Sequence, residues 1–250
     1  MHRDLLIYSE EDAWHRGNYK TTTNSVVAFA EDGKQLGVVF ATATPFDTPS
    51  LMAELITWFN AERQAGQLHP LLLIGLCIVV FLEIHPFQDG NGRIGRMMIC
   101  LMAVQTGLTK LPLLHISSIL EKQKDTYIER LFKVSTHGEW AGWLNFFLEV
   151  VRQSCISATK AVDQVITLQA DLKQRALSND KNHRLPTIID ALFEKEWTTA
   201  AEVQKLCGTT FPTAQKDIQE LVRMGILSHF AGSTRPAIYI AIPIWDLSRR

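Results

Sequence analysis

Residues 71–84, LLLIGLCIVVFLEI, are apolar on every face a helix can present. A helix with no polar side must be surrounded by protein, so this run calls for a layer of other helices around it. At this length it falls short of the roughly 20 residues a membrane span requires. The flanking sequence can supply the layer. Leu51, Leu55, Trp58 and Phe59 recur at the i, i+4, i+7, i+8 spacing of one helix face. Ile94, Met97, Met98, Leu101 and Met102 predict a second face, and Ser117 or Ser118 with Glu121 predicts a capping box for a third helix. Trp140, Trp143, Phe147 and Val151 begin a long helix that continues through Ala161, Val165, Leu168 and Leu172. The fold class is mainly α, a helical bundle.

The first 45 residues break this pattern. Val26–Phe29 and Gly37–Ala41 are β-rich and flank Glu31-Asp32-Gly33-Lys34, which predicts a hairpin. Residues 44–49 (TPFDTP) end the second strand and cap the next helix. At 250 residues, with 46% hydrophobic residues and a formal net charge of -1, the chain is foldable and has no global attraction to phosphate backbones or acidic membranes. Cys77, Cys100, Cys155 and Cys207 are far apart and lie in apolar stretches, so they read as reduced core residues rather than a zinc or redox site. MHRDLLIYSEEDAW turns acidic too early for a secretory signal. The expected location is the cytoplasm, with no membrane partner.

The polar stretch Ser178–Arg184 is the best linker, giving domains over 1–177 and 185–250. Past it, helical patterns near 187–194, 199–207 and 211–224 are followed by strand-like Ile226-Leu227 and Ala237–Ala241 around Gly232-Ser233. That is the order of a small winged helix-turn-helix. Its recognition helix would present Thr209, Thr210, Thr213, Gln215 and Lys216, with Ile218, Leu221 and Val222 in the core and Arg235 in the wing. Seven Lys/Arg against seven Asp/Glu over 185–250, with Asp217 and Glu220 on that helix, leave DNA binding behind a protein-contact role.

Chemistry is concentrated in His85-Pro86-Phe87-Gln88-Asp89-Gly90-Asn91-Gly92-Arg93-Ile94-Gly95-Arg96. The apolar helix delivers the chain to His85, and a second helix starts near Arg93. Gly90-Asn91-Gly92 permits positive φ and keeps backbone amides open. Amides at a helix N-terminus make an anion site, and phosphate is the obvious anion. Arg93 and Arg96 add charge-assisted contacts, Asp89 offers a hard oxygen to Mg²⁺, and His85 has the pKa range of a general base. The result is a phosphate cradle with a base at its lip.

This segment resembles the Fic family signature H-P-F-x-[DE]-G-N-G-R-x-x-R at all nine specified positions. The resemblance runs over roughly 15–175: Gly17–Thr21 is similar to the segment entering the family's flap, 26–44 to the flap, and 125–148 to its later helices. It implies a Fic-type bundle that transfers AMP from ATP to a Ser, Thr or Tyr hydroxyl and releases pyrophosphate. His85 would be the base and Asp89 the Mg²⁺ ligand. Gly90 and Gly92 would offer amides, Arg93 and Arg96 would orient phosphates, and Phe87 would anchor the loop. Asn91 would either fix the cradle or touch a phosphate. The target would add a strand to the flap along Val38, Val39, Phe40, Ala41 and Thr42. Tyr127 could lie near the nucleotide.

Phosphorylating relatives usually carry lysine where this chain has Gly92; AMP removal and phosphocholine transfer stay open. The family's inhibitory pattern [ST]-x-x-x-E-[GN] is not matched, since Leu55 follows Glu54 and Lys122 follows Glu121. Either an N-terminal inhibitory part is missing or a partner supplies it, and no internal glutamate is expected on Arg96. The implied partners are ATP, a target protein and, as open alternatives, a second copy of the chain or DNA. The rival reading is a DNA-binding transcription regulator whose Fic fold senses a ligand or is inactive.

Overall fold

The computed structural model describes residues 1–29, 35–178, 182–233 and 236–249. The chain is mainly helical and divides into two compact units, Met1–Ala158 and Thr159–Arg250. The division falls inside one long helix, and the polar stretch 178–184 lies within the second unit. Among the described residues, no helix is long and apolar enough to cross a membrane.

The first unit opens with α1 (His2–Leu5) and a hairpin of β1 (Ser25–Phe29) and β2 (Gln35–Ala41). The strands are antiparallel, with Ser25 opposite Ala41 and Val27 opposite Val38, and register shifts at Val26/Val27 and Ala28/Phe29. The Glu31–Lys34 turn signal lies outside the described residues. Thr44 then organises the start of α2 (Thr48–Ala65): its Oγ1 accepts the Asp47 N–H at 3.1 Å and its carbonyl accepts the Thr48 N–H at 3.0 Å. Then come α3 (Pro70–Ile84), α4 (Asn91–Gln105), α5 (Ser117–Lys122), α6 (Lys124–His137) and α7 (Trp140–Leu177).

Helix α3 is the centre of the core, with Ile74 and Val79 fully buried among Leu55, Phe59, Ile94, Ile99 and Phe147. The Trp143 indole donates to the carbonyl of Gly75 at 2.9 Å, so the buried ring keeps its hydrogen bond. Several single-residue expectations fail here. On α2 the inward residues are Met52, Leu55 and Phe59, whereas Leu51 is exposed. On α4, Met97 and Leu101 face solvent, because the covered side follows Ile94, Ile99, Met102 and Ala103. No side chain caps α5, whose N-cap is Ile116, so the Ser–Glu121 capping box does not form. Cys155 is exposed, whereas Cys77 is buried and its thiol is pushed up to about 12 by desolvation.

In the second unit Leu172 and Ala176 of α7 pack with α8 (Leu185–Glu194), α9 (Ala200–Cys207) and α10 (Phe211–Arg223). Short strands β3 (Trp197–Thr198), β4 (Ser228–His229) and β5 (Tyr239–Ile240) form an antiparallel sheet in the order β3-β5-β4, and α11 (Ile242–Ser248) follows. Helix α9 opens with a capping box between Thr199 and Glu202. Ile226 and Leu227 are buried but lie ahead of β4, since Gly225 at φ 70° redirects the chain into the core before pairing begins. Strand β3 and helix α11 carry no pattern that the sequence displays: one is two residues long, the other seven.

Candidate active site at the α3–α4 turn

Helix α3 ends at His85, which adopts the left-handed conformation at φ 51°, ψ 59°. Among the described residues it is the one non-glycine with positive φ. Such a conformation costs on the order of 1–3 kcal/mol, and residues held in it concentrate at functional sites. Pro86 helps to impose it, because a residue preceding proline is disfavoured in the right-handed helical region. The His85 N–H still closes the helix on Phe81 O at 3.0 Å. Its ring Nδ1 lies 3.1 Å from the Leu82 carbonyl. A carbonyl only accepts, so Nδ1 carries the proton and Nε2 keeps its lone pair. Burial pushes the imidazole below its usual pKa, and the Lys20 charge adds to that shift.

The loop returns at Gly90, φ 82°, the N-cap of α4. Asn91 and Gly92 are already helical, so the left-handed freedom expected of all three residues is used at Gly90 alone. No side chain caps this helix, and the first intrahelical bond is that of Ile94 N–H to Gly90 O at 2.9 Å. The amides of Asn91, Gly92 and Arg93 are therefore the orphan donors of the helix start, which require a partner from outside the backbone. Asn91 is buried and closes the loop on itself: Phe87 N–H donates to its Oδ1 at 2.9 Å and its Nδ2 donates to Phe87 O at 2.7 Å. Phe87 packs on the first core, stacked with His2.

Arg93 and Asp89 are both exposed and form an ion pair at 2.5 Å. Arg96 stands between two clefts. One, of about 520 Å³, is lined by Arg93, Arg96, His115 and Ser117; the other, of about 290 Å³, by Arg96, Glu121, Lys124 and Tyr127. Among the described residues no ion pair involves Arg96. Burial pushes the Tyr127 phenol up to about 12. These clefts adjoin the α4 N-terminus and combine basic side chains with an aromatic ring, a set that suits a nucleotide polyphosphate.

The hairpin is tied to the same turn from its base. Asn24 Nδ2 donates to Phe87 O at 2.9 Å, Thr22 Oγ1 to Gln88 Oε1 at 2.9 Å, and Ala43 N–H to Glu83 O at 3.3 Å. Lys20 reaches Ile84 O at 3.0 Å and, through its own N–H, Pro86 O at 2.9 Å. Val38, Val39, Phe40 and Ala41 lie on β2, and Thr42 follows it. Sequence reasoning gave His2 and Asn24 no role and placed Lys20 only within the segment entering the hairpin, because ordinary residue types before a strand carry no signal of what they will touch.

On α10, Asp217 is buried and held by Arg184 at 2.7 Å and Asn182 at 2.6 Å. It is not on the outward face with Gln215, Lys216 and Gln219. Arg235 lies outside the described residues.

Comparison with known proteins is consistent with this geometry. Residues 1–103 match the family model described as Fic/DOC family. A probable protein adenylyltransferase of Aquifex aeolicus is 24% identical over 143 residues, covering 52% of this chain and 44% of that protein. A protein adenylyltransferase Fic of Drosophila mojavensis is 26% identical over 131 residues, covering 52% of this chain and 23% of that protein. The chain thus spans less than half the length of these curated relatives. A Fic family protein of Desulfovibrio desulfuricans, 18% identical, superposes with a TM-score of 0.52 over 96% of this chain and 66% of that one, a likeness of fold.

Proposed function

We propose that this chain transfers AMP from ATP to a hydroxyl group of a target protein. The observation that carries the reading is the conjunction at one turn: His85 in a left-handed conformation with Nε2 unprotonated, beside an uncapped helix N-terminus and two arginines. The hydroxyl oxygen attacks the α-phosphorus, the bond to the bridging oxygen of the β-phosphate breaks, and pyrophosphate leaves. His85 Nε2 takes the hydroxyl proton. The amides of Asn91, Gly92 and Arg93 meet the charge that develops on the transferred group, and Arg93 and Arg96 orient the leaving phosphates. Asn91 and Phe87 hold the loop that presents these donors.

Among the described residues no cluster of three His, Cys, Asp or Glu side chains could cage a metal. A single carboxylate at Asp89 fits a hard cation whose remaining ligands are phosphate oxygens and water, which is the habit of Mg²⁺. Bound there, Mg²⁺ would neutralise phosphate charge. The relatives named protein adenylyltransferase support the same reading, and the hairpin base bonded to residues 83–88 supports a target segment added along Val38–Thr42.

Incubation with ATP labelled at the α-phosphate, Mg²⁺ and cell lysate, alongside a His85→Ala control, tests this. Label on protein that disappears in the control is the expected result. Label transferred only from the γ-phosphate, or equal label in the control, would overturn it.

For the second unit, the order α8-β3-α9-α10-β4-β5 supports a winged helix with α10 as its recognition helix. Burial of Asp217 removes one negative charge from the exposed face of α10, which favours an anionic partner there. Titration with labelled duplex DNA at rising salt tests it: affinity that falls steeply with salt supports a DNA contact, and none at low salt rejects it.

A further inference from the structure

Lys20 is 3% exposed, yet among the described residues it has no carboxylate partner. All three ammonium hydrogens go to neutral oxygens instead: Asn24 Oδ1 at 2.9 Å, Thr42 Oγ1 at 2.9 Å and Ile84 O at 3.0 Å. The acceptors belong to three different places. Asn24 precedes β1, Thr42 follows β2, and Ile84 is the last residue of α3, immediately before His85. Thr42 is used in both directions, since its hydroxyl accepts from Lys20 and donates to Asn24 O. The backbone of Lys20 adds a fourth tie, N–H to Pro86 O at 2.9 Å, so one residue brackets His85 on both sides.

A buried charge facing only dipoles is a costly choice for stability alone, because desolvation is not repaid by a counter-ion. Two neutral groups of similar shape would close the same gap more cheaply. We infer that Lys20 is a positioning residue that locks both ends of the β1–β2 hairpin to the turn carrying His85, so that a segment docked on the hairpin meets the imidazole at a fixed place. The inference rests on the reading of His85 as base and of the hairpin as docking edge. The charge has a second effect on the same ring, since the cation disfavours a proton on His85. Of the other charged neighbours, Asp89, paired with Arg93, favours a proton on the ring and so opposes Lys20, whereas Glu83 faces a cleft with Glu54 and Trp58 between α2 and α3. Burial itself holds the Lys20 ammonium down to about 8.

Two readouts in the full chain need no transfer activity. In Lys20→Met, the amides of Ala43 and residue 20, bonded to Glu83 O and Pro86 O, should exchange with solvent at least about tenfold faster while those inside α3 are unchanged. In Lys20→Gln, which keeps donors and removes the charge, the His85 imidazole should titrate higher by about half a pH unit or more by NMR. A merely space-filling lysine would move neither. If Lys20→Met does not fold, Thr42→Val removes one acceptor with the lysine in place and must show the faster Ala43 exchange by itself.

With an active enzyme, Lys20→Met should leave the Kd for a fluorescent ATP analogue within about twofold and lower transfer to the protein target by about tenfold or more. Unchanged exchange together with unchanged His85 titration overturns the inference, as does ATP affinity falling in step with transfer. Absence of transfer by the wild-type protein would instead reject the AMP-transfer reading, and the exchange and titration results would still decide the role of Lys20.

Discussion

His2 lies flat against Phe87, ring centroids 3.9 Å apart and planes 7° from parallel. The same imidazole bridges two stretches of backbone: its Nδ1 accepts the Gly17 N–H at 2.9 Å, and its Nε2 lies 3.0 Å from Asp89 O. Because Nδ1 is an acceptor, Nε2 carries the proton and donates to the carbonyl, so this is the neutral ring. Burial agrees, lowering the pKa of His2. The loop between α3 and α4 is thus backed by a residue 87 positions away in sequence.

His2→Ala removes a stacked pair and a part-buried hydrogen bond. Stacking contributes about 0.5–1.5 kcal/mol and an unmet carbonyl costs about 1–3 kcal/mol. Urea unfolding should therefore show a loss of about 2–3 kcal/mol, accompanied by weaker nucleotide binding as Asp89 and Gly90 loosen. Nucleotide affinity at the wild-type level would show that the loop is rigid without this support.

Gly90 and Gly92 should separate stability from binding. Gly90 is left-handed, and an added Cβ would stand 3.3 Å from Leu5 Cδ2, so Gly90→Ala should lower stability by about 1–2 kcal/mol. Gly92 is helical, and its Cβ would meet only Arg96 Nη1 at 3.5 Å. Alanine is the better helix former there by up to about 1 kcal/mol. Gly92→Ala should keep or raise Tm while obstructing the amides and weakening ATP binding by about tenfold or more. Equal ATP affinity in Gly92→Ala would remove the α4 N-terminus from the phosphate site.

The parts of this site that were legible are those whose chemistry is local. The run 71–84 dictates a buried helix whatever surrounds it, and His85 with Gly90–Gly92 announces a turn that opens onto amides. Legibility ended where a residue's role depends on distant partners. Lys20 looks like any lysine until the Ile84 carbonyl, 64 positions on, accepts a hydrogen bond from its ammonium. Asp217 looks like a surface acid until Arg184 folds over it. Ser117 has the sequence of a cap, but the chain enters α5 through Ile116, already in a right-handed helical conformation. Met97 and Leu101 satisfy the period of a buried face, and the sequence could not say how much of α4 the neighbouring helices would cover.

Asp217 tests the second unit by itself. Its side chain is 3% exposed and accepts from Arg184 Nε at 2.7 Å, Arg184 Nη2 at 3.0 Å and Asn182 Nδ2 at 2.6 Å. Asp217→Ala should destabilise by about 3 kcal/mol, since removal takes a buried carboxylate away from the half-buried donors of Arg184 and Asn182. Much of the Arg184 side chain is exposed and can turn to water, so a loss under about 1 kcal/mol would mean that it does so.

On the proposed reading of His85 as base, the pH dependence of transfer follows from its imidazole. Burial, then the charge of Lys20, hold its folded-state pKa below the ordinary 6.5, while the Leu82 carbonyl and the Asp89 carboxylate oppose them. As pH falls from neutrality the unfolded chain takes up the proton first, so the contribution of this residue to stability is complete above 6.5 and is lost as pH drops toward the folded value. Catalysis inherits the same displacement. With the imidazole pKa held below 6.5, the acid limb of kcat/KM should lie beneath that value in wild type. In Lys20→Gln the limb should move upward, because the cation that opposed protonation is gone while Leu82 remains. An acid limb at or above 6.5 in wild type would mean that another group limits the rate, and an unmoved limb in the variant would mean that Lys20 does not act through the His85 ring.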